Sequence, residues 1–125
     1  MSAKTAEECD ALFEKYANAG QLDALVGLYE DDAVLLPSPD QQAKGREAIR
    51  EALGGLLEAK PTMKLQVIKS FTAGRDMAIL YNDWHAKMTG PDGDAIETGG
   101  EAIEIVRRQA DGTWKFVFDD PYGRG

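Results

Sequence analysis

The chain has 125 residues, enough for one hydrophobic core, and its 43% hydrophobic and 29% charged residues make it too apolar for disorder and too polar for a membrane-embedded protein. Twenty-two acidic against fourteen basic residues give a formal charge of -8, which repels nucleic-acid phosphates and anionic lipid alike. No apolar run approaches the roughly 20 residues of a membrane span, and Met1-Ser2-Ala3-Lys4 opens no signal peptide. The expectation is a single cytoplasmic domain over residues 1–125, with no nucleic-acid or membrane partner.

The first helix is predicted to start at Thr5, because Thr5 and Glu8 have the spacing of a capping box. Cys9, Leu12, Phe13 and Tyr16 then share one face, and Asn18-Ala19-Gly20 ends the helix. A short second helix carries Leu22, Leu25, Val26 and Tyr29 as its apolar stripe and stops at the acidic run Glu30-Asp31-Asp32. Ala33-Val34-Leu35-Leu36 reads as a brief strand halted by Pro37, followed by a loop to Lys44. A third helix spans about Arg46 to Glu58, weakened by Gly54-Gly55.

Four long strands follow: about Thr62 to Thr72, Met77 to Thr89, Ala95 to Gln109 and Thr113 to Asp120. Gly74-Arg75, Gly90-Pro91-Asp92-Gly93 and Asp111-Gly112 supply the turns, and Gly99-Gly100 is expected to form a bulge. Helical periodicity in the first half and alternation in the second make an α+β protein.

Strand parity decides which polar groups can act together. A two-residue turn at Asp111-Gly112 would set Glu104 opposite Asp119, Val106 opposite Val117 and Arg108 opposite Lys115. Ile103, Ile105, Trp114, Phe116 and Phe118 would then occupy the other face, too apolar for water and in need of cover by helices or by a second copy of the chain, with a homodimer the expected assembly. A three-residue turn with a glycine bulge would put Glu104 and Asp119 on opposite faces, and the pattern leaves both registers open. Facing one cavity, the two carboxyls would have at least one pKa raised by like-charge repulsion and desolvation; otherwise they are solvated or paired with Arg107, Arg108 or Lys115. On the strand before, alternation places Asp83 and His85 on one face, a second candidate acid/base pair. Tyr16, Tyr29 and Trp84 are aromatics suited to holding an apolar ligand, and Cys9 reads as a small buried hydrophobe. With one Cys, one His and no acidic loop of metal-binding spacing, neither metal nor cofactor is expected.

Asn18-Ala19-Gly20-Gln21-Leu22-Asp23, the run Leu28 to Val34 and Lys44-Gly45-Arg46-Glu47-Ala48-Ile49-Arg50 resemble the opening and third helix of the nuclear-transport-factor-two-like superfamily. Tyr81-Asn82-Asp83-Trp84, the run Arg107 to Trp114 and Asp119-Asp120-Pro121 resemble its SnoaL-like, ketosteroid-isomerase-homologue branch. The resemblance implies a cone-shaped, curved antiparallel sheet wrapped around three N-terminal helices and enclosing a pocket. It places Phe13 where ketosteroid isomerases carry a tyrosine and Pro37 where they carry the base, leaving only Glu104, near the oxyanion-acid position, with a suitable group. The implied function is a cone that binds a small apolar molecule, as an isomerase, cyclase or hydrolase working through pocket carboxylates. Phe13, Tyr16, Tyr29 and Trp84 would contact the ligand; Glu104, Asp119, Asp83 and His85 are the catalytic candidates. The alternative is a non-catalytic ligand-binding or oligomerisation module, as in the calcium/calmodulin-dependent kinase association domain, whose closing Arg-Arg-Asp-Gly-X-Trp run is similar to the one here.

Overall fold

The computed structural model describes residues 2–125. Helices α1 (Glu8–Ala19), α2 (Leu22–Val26) and α3 (Arg46–Glu58) alternate with and precede six strands: β1 (Tyr29–Ser38), β2 (Gln41–Lys44), β3 (Thr62–Ala73), β4 (Met77–Thr89), β5 (Ala95–Arg108) and β6 (Trp114–Asp120). The strands form one curved sheet in the order β2-β1-β6-β5-β4-β3, antiparallel except where β1 runs parallel to β6. The α+β cone is the observed architecture. No helix among the described residues is long and apolar enough to cross a membrane.

The first helix begins three residues later than its capping signal. Thr5 Oγ1 accepts from the Glu8 amide at 3.3 Å, while the Glu8 carboxylate reaches back to the Lys4 amide at 2.9 Å instead of Thr5. Gly20 closes the helix in the left-handed conformation. The second helix ends at Val26, so Tyr29 opens β1 rather than completing a helical stripe. The acidic run and Pro37 stay within β1, which is longer than local propensity predicts because β6 supplies a partner for its backbone. The expected loop also contains a strand: β2 turns back at Pro39-Asp40 and pairs with β1.

Gly99-Gly100 is not a bulge. Pairing between β4 and β5 runs without a register shift from Met77↔Arg107 to Thr89↔Ala95. The glycines instead admit close neighbours, since a Cβ on Gly100 would lie 2.7 Å from the Pro121 carbonyl oxygen and 2.8 Å from Trp84 Nε1. Register shifts sit elsewhere, at Leu35/Ser38 in β1–β2, Tyr29/Val34 in β1–β6, Val67/Lys69 in β3–β4 and Ile105/Val106 in β5–β6.

That last bulge settles the parity. The β5–β6 turn is the glycine-bulge type, with Gly112 at φ 85° and the Gln109 amide bonded to the Thr113 carbonyl. It pairs Val106 with Phe116 and Arg107 with Lys115, not Val106 with Val117 or Arg108 with Lys115. Beyond the turn, the shift between Ile105 and Val106 restores the other register, and Glu104 lies opposite Asp119. Each register therefore holds for part of the hairpin. Phe116 consequently faces inward, fully buried between Phe13 at 6.4 Å and Tyr29 at 5.0 Å, and cannot serve an outer face. Burying each such ring stabilises the fold by roughly 1.5–3 kcal/mol.

A candidate ligand cavity with an acidic end

A cavity of about 330 Å³ lies between the sheet and the helices. Its walls are apolar: Phe13 from α1, Leu53 and Leu56 from α3, Met63 and Leu65 from β3, Trp84 and Met88 from β4. Helical spacing on α3 and alternation on β3 and β4 bring these side chains to the concave side. The polar lining is Asn82, Thr98, Glu104 and Asp119, with no Lys, Arg or His among the lining residues. Pro121 and Tyr122, just after β6, complete the wall. The Trp84 Nε1 donates to the Pro121 carbonyl at 2.7 Å, and the Tyr122 ring stands 5.7 Å from that of Trp84.

Glu104 and Asp119 lie opposite each other on neighbouring strands, which sets their Cβ atoms about 4.5–5.5 Å apart. They are 3% and 4% exposed, and Asp10 behind them on α1 is 1% exposed. Burial away from water penalises the ionised form of all three. Desolvation raises Glu104 well above the usual carboxyl range, and the charges of Asp10 and Asp119 add to it. Desolvation lifts Asp119 to about 7, opposed by the Tyr29 hydroxyl, which donates to Asp119 Oδ2 at 2.6 Å. Asp10 is raised to about 6 by desolvation, with Glu104 and Asn82 pulling it back. Both Asp10 carboxyl oxygens, Glu104 Oε1 and Asn82 Oδ1 are buried without a hydrogen-bond partner. The group thus contains one carboxyl, Glu104, that is neutral near pH 7 and can donate a hydrogen bond, and a second, Asp119, that titrates about there.

The structure brings Glu104 and Asp119 together at the cavity and separates them from Asp83 and His85. Those two share the outer face of β4, because inward positions on that strand are Leu80, Asn82, Trp84 and Ala86. Asp83 accepts from Arg124 Nη2 at 2.7 Å, and His85, 56% exposed, has Glu97 at 4.0 Å. The expectation of a second acid/base pair in the pocket is corrected by strand parity. Of the four aromatics, Phe13 and Trp84 line the cavity. Tyr16 is a buried core residue outside the lining, and Tyr29 sits behind Asp119 as its hydrogen-bond donor. Pro37 also lines the cavity, so neither it nor Phe13 brings a titratable group there. The Cys9 thiol is buried, and desolvation first, then Asp10 and other nearby acids, keep it protonated.

Asp10 and Asn82 escaped the sequence reading. Their signals were present: Asp10 precedes Phe13 by three and Ala17 by seven, on the apolar stripe of α1, and Asn82 alternates with Leu80 and Trp84.

Residues 10–117 match the family described as the SnoaL-like domain. A ketosteroid isomerase-like protein from Erwinia carotovora atroseptica superposes with a TM-score of 0.81 at 18% identity, over 91% of this chain and 89% of its own. A nuclear transport factor 2-like superfamily protein from Salmonella enterica gives 0.79 at 18% identity, over 90% and 84%. A protein from Thiobacillus denitrificans described as a calcium/calmodulin-dependent protein kinase type II association domain gives 0.77 at 18% identity, over 97% and 98%. No curated protein matches the sequence. At these identities the superpositions establish the cone fold alone, and the family match adds lineage: the chain belongs to the SnoaL-like branch of the nuclear-transport-factor-two-like superfamily.

Proposed function

We propose that the chain binds a small, uncharged, largely apolar molecule and moves a proton on it by acid/base catalysis, as an isomerase-type enzyme without a cofactor. The observation that carries this reading is the pair Glu104 and Asp119, opposite one another at the polar end of an otherwise apolar cavity that no cation among the described residues lines. An anionic ligand would meet no counter-charge there. Two carboxyls whose surroundings push their proton affinities apart divide naturally into acid and base. Glu104, held protonated, donates a hydrogen bond to a carbonyl oxygen of the ligand. Asp119, titrating near neutrality, takes a proton from the adjacent carbon; the C–H pair moves into the enolate, and Asp119 returns the proton to the same or a conjugated carbon. This division differs from the ketosteroid-isomerase layout, since the cavity carries Phe13 and Pro37 at the positions that resemblance assigns to its tyrosine and base.

The test follows deuterium uptake from D2O into small ring ketones such as tetralone or cyclohexenone by NMR. Glu104→Gln and Asp119→Asn should each slow exchange by about 100-fold or more. Binding without exchange would favour the non-catalytic module instead; exchange surviving in both variants would sink the carboxyl assignment.

The same reading includes a homodimer. Phe71 is 45% exposed on the outer face of the sheet, beside the half-buried Ile79, Tyr81, Ile103, Ile105 and Phe118. A monodisperse monomer at micromolar concentration in sedimentation velocity would refute it.

A further inference from the structure

Asp10 belongs to the acidic end but does not line the cavity. It stands on the buried face of α1, among Ala6, Cys9 and Phe13, where an apolar residue would fill the space at no electrostatic cost. Both of its carboxyl oxygens, together with Glu104 Oε1 from β5 and Asn82 Oδ1 from β4, are buried without a protein hydrogen-bond partner. The Asn82 side chain favours the ionised form of each carboxyl, yet two ionised carboxylates there would repel each other with no cation facing them, so the pair retains a proton.

The groups facing the cluster offer no such compensation. They are Glu104 on β5, Asn82 on β4, Asp119 on β6, Tyr29 on β1 and the Cys9 thiol on α1 itself. None is a cation. We propose that Asp10 is a positioning residue for the cavity acid: a carboxyl behind the wall that shares protons with Glu104, beside Asn82, and so keeps Glu104 in its donor form. The inference rests on Glu104 serving as the acid, but the coupling itself exists with or without turnover.

Like-charge coupling fixes the direction of the effect. The charge on Asp10 raises the proton affinity of both Glu104 and Asp119, so removing it lets each lose its proton at lower pH. In Asp10→Asn the donor form of Glu104 is lost at a lower pH, and the alkaline limb of any proton-transfer profile moves in the acidic direction. A merely structural Asp10 would change stability and leave these midpoints in place.

Carboxyl 13C NMR titration of the full chain reads the midpoints without any ligand. In Asp10→Asn the Glu104 and Asp119 midpoints are expected to move down in pH. In Glu104→Leu, an arm that serves where Asp10→Asn does not fold, the Asp10 midpoint should instead rise, because Glu104 holds it down. An unmoved Glu104 midpoint in Asp10→Asn, or an unmoved Asp10 midpoint in Glu104→Leu, would overturn the proposal. Shifted midpoints in a protein that exchanges no substrate proton would instead uphold the coupling and reject proton transfer as the function.

Discussion

The acids on the outside of the sheet and those at the end of the cavity are the same functional group in opposite surroundings. Outside, Glu30 meets Arg107 at 2.8 Å, Asp76 meets Arg108 at 2.8 Å and Asp83 meets Arg124 at 2.7 Å. Partial burial works to raise the Glu30 carboxyl, yet Arg107 and Gln109 hold it below its ordinary value. Inside, Asp10, Glu104 and Asp119 meet no cation and are pushed up, first by desolvation. Position relative to the sheet, not residue type, separates Glu30, held down, from Glu104, pushed up.

The two regions therefore pull stability in opposite directions as pH changes. A lowered group such as Glu30 stabilises the fold above its unfolded pKa, and that contribution is lost as pH falls. For the raised groups the unfolded chain releases protons that the folded chain keeps, so stability declines as pH rises from about 4. Asp10 completes this loss near pH 6 and Asp119 near pH 7, with Glu104 later still.

The sharpest way to break the contrast is chemical, through the 100-fold loss of exchange expected for Glu104→Gln and Asp119→Asn. Next in size is Tyr29→Phe, which leaves Asp119 without its hydroxyl donor. It should cost about 1–3 kcal/mol at pH 8 in urea denaturation and raise the Asp119 midpoint, because the lost bond favours the carboxylate. Glu104→Gln should be more stable than the natural chain at pH 8, by about 1–2 kcal/mol, with the gain vanishing by pH 5. A stability difference independent of pH would refute the neutral-acid state of Glu104. The smallest effect belongs outside: Asp76→Asn, removing an exposed partner of Arg108, should change stability by less than about 1 kcal/mol and fade in high salt.

Helix α3 and strand β4 have the bounds their periodicity predicts, because each carries a strong pattern closed by turn residues on both sides. Strand β2 and the length of β1 were not legible, since their pairing partners are set by the sheet and not by Gln41–Lys44 or the acidic run themselves. Half of the acidic pair was legible in the same sense. Glu104 and Asp119 could be singled out as chemistry-bearing residues, yet whether they met hung on a one-residue shift that turns every side chain to the other face.

The sequence by itself determined the order of the helices and long strands and the apolar character of the pocket walls, because these rest on periodicity and turn chemistry confined to neighbouring residues; the family was legible through the resemblance of its motifs. Only the tertiary structure decided which acids act together. The bulge at Ile105/Val106 sets Glu104 against Asp119, parity turns Asp83 and His85 outward, and the packing of α1 on the sheet carries Asp10 behind Glu104. Each of these depends on contacts between residues far apart in the chain, where burial and charge, summed over several elements, fix the state of a proton.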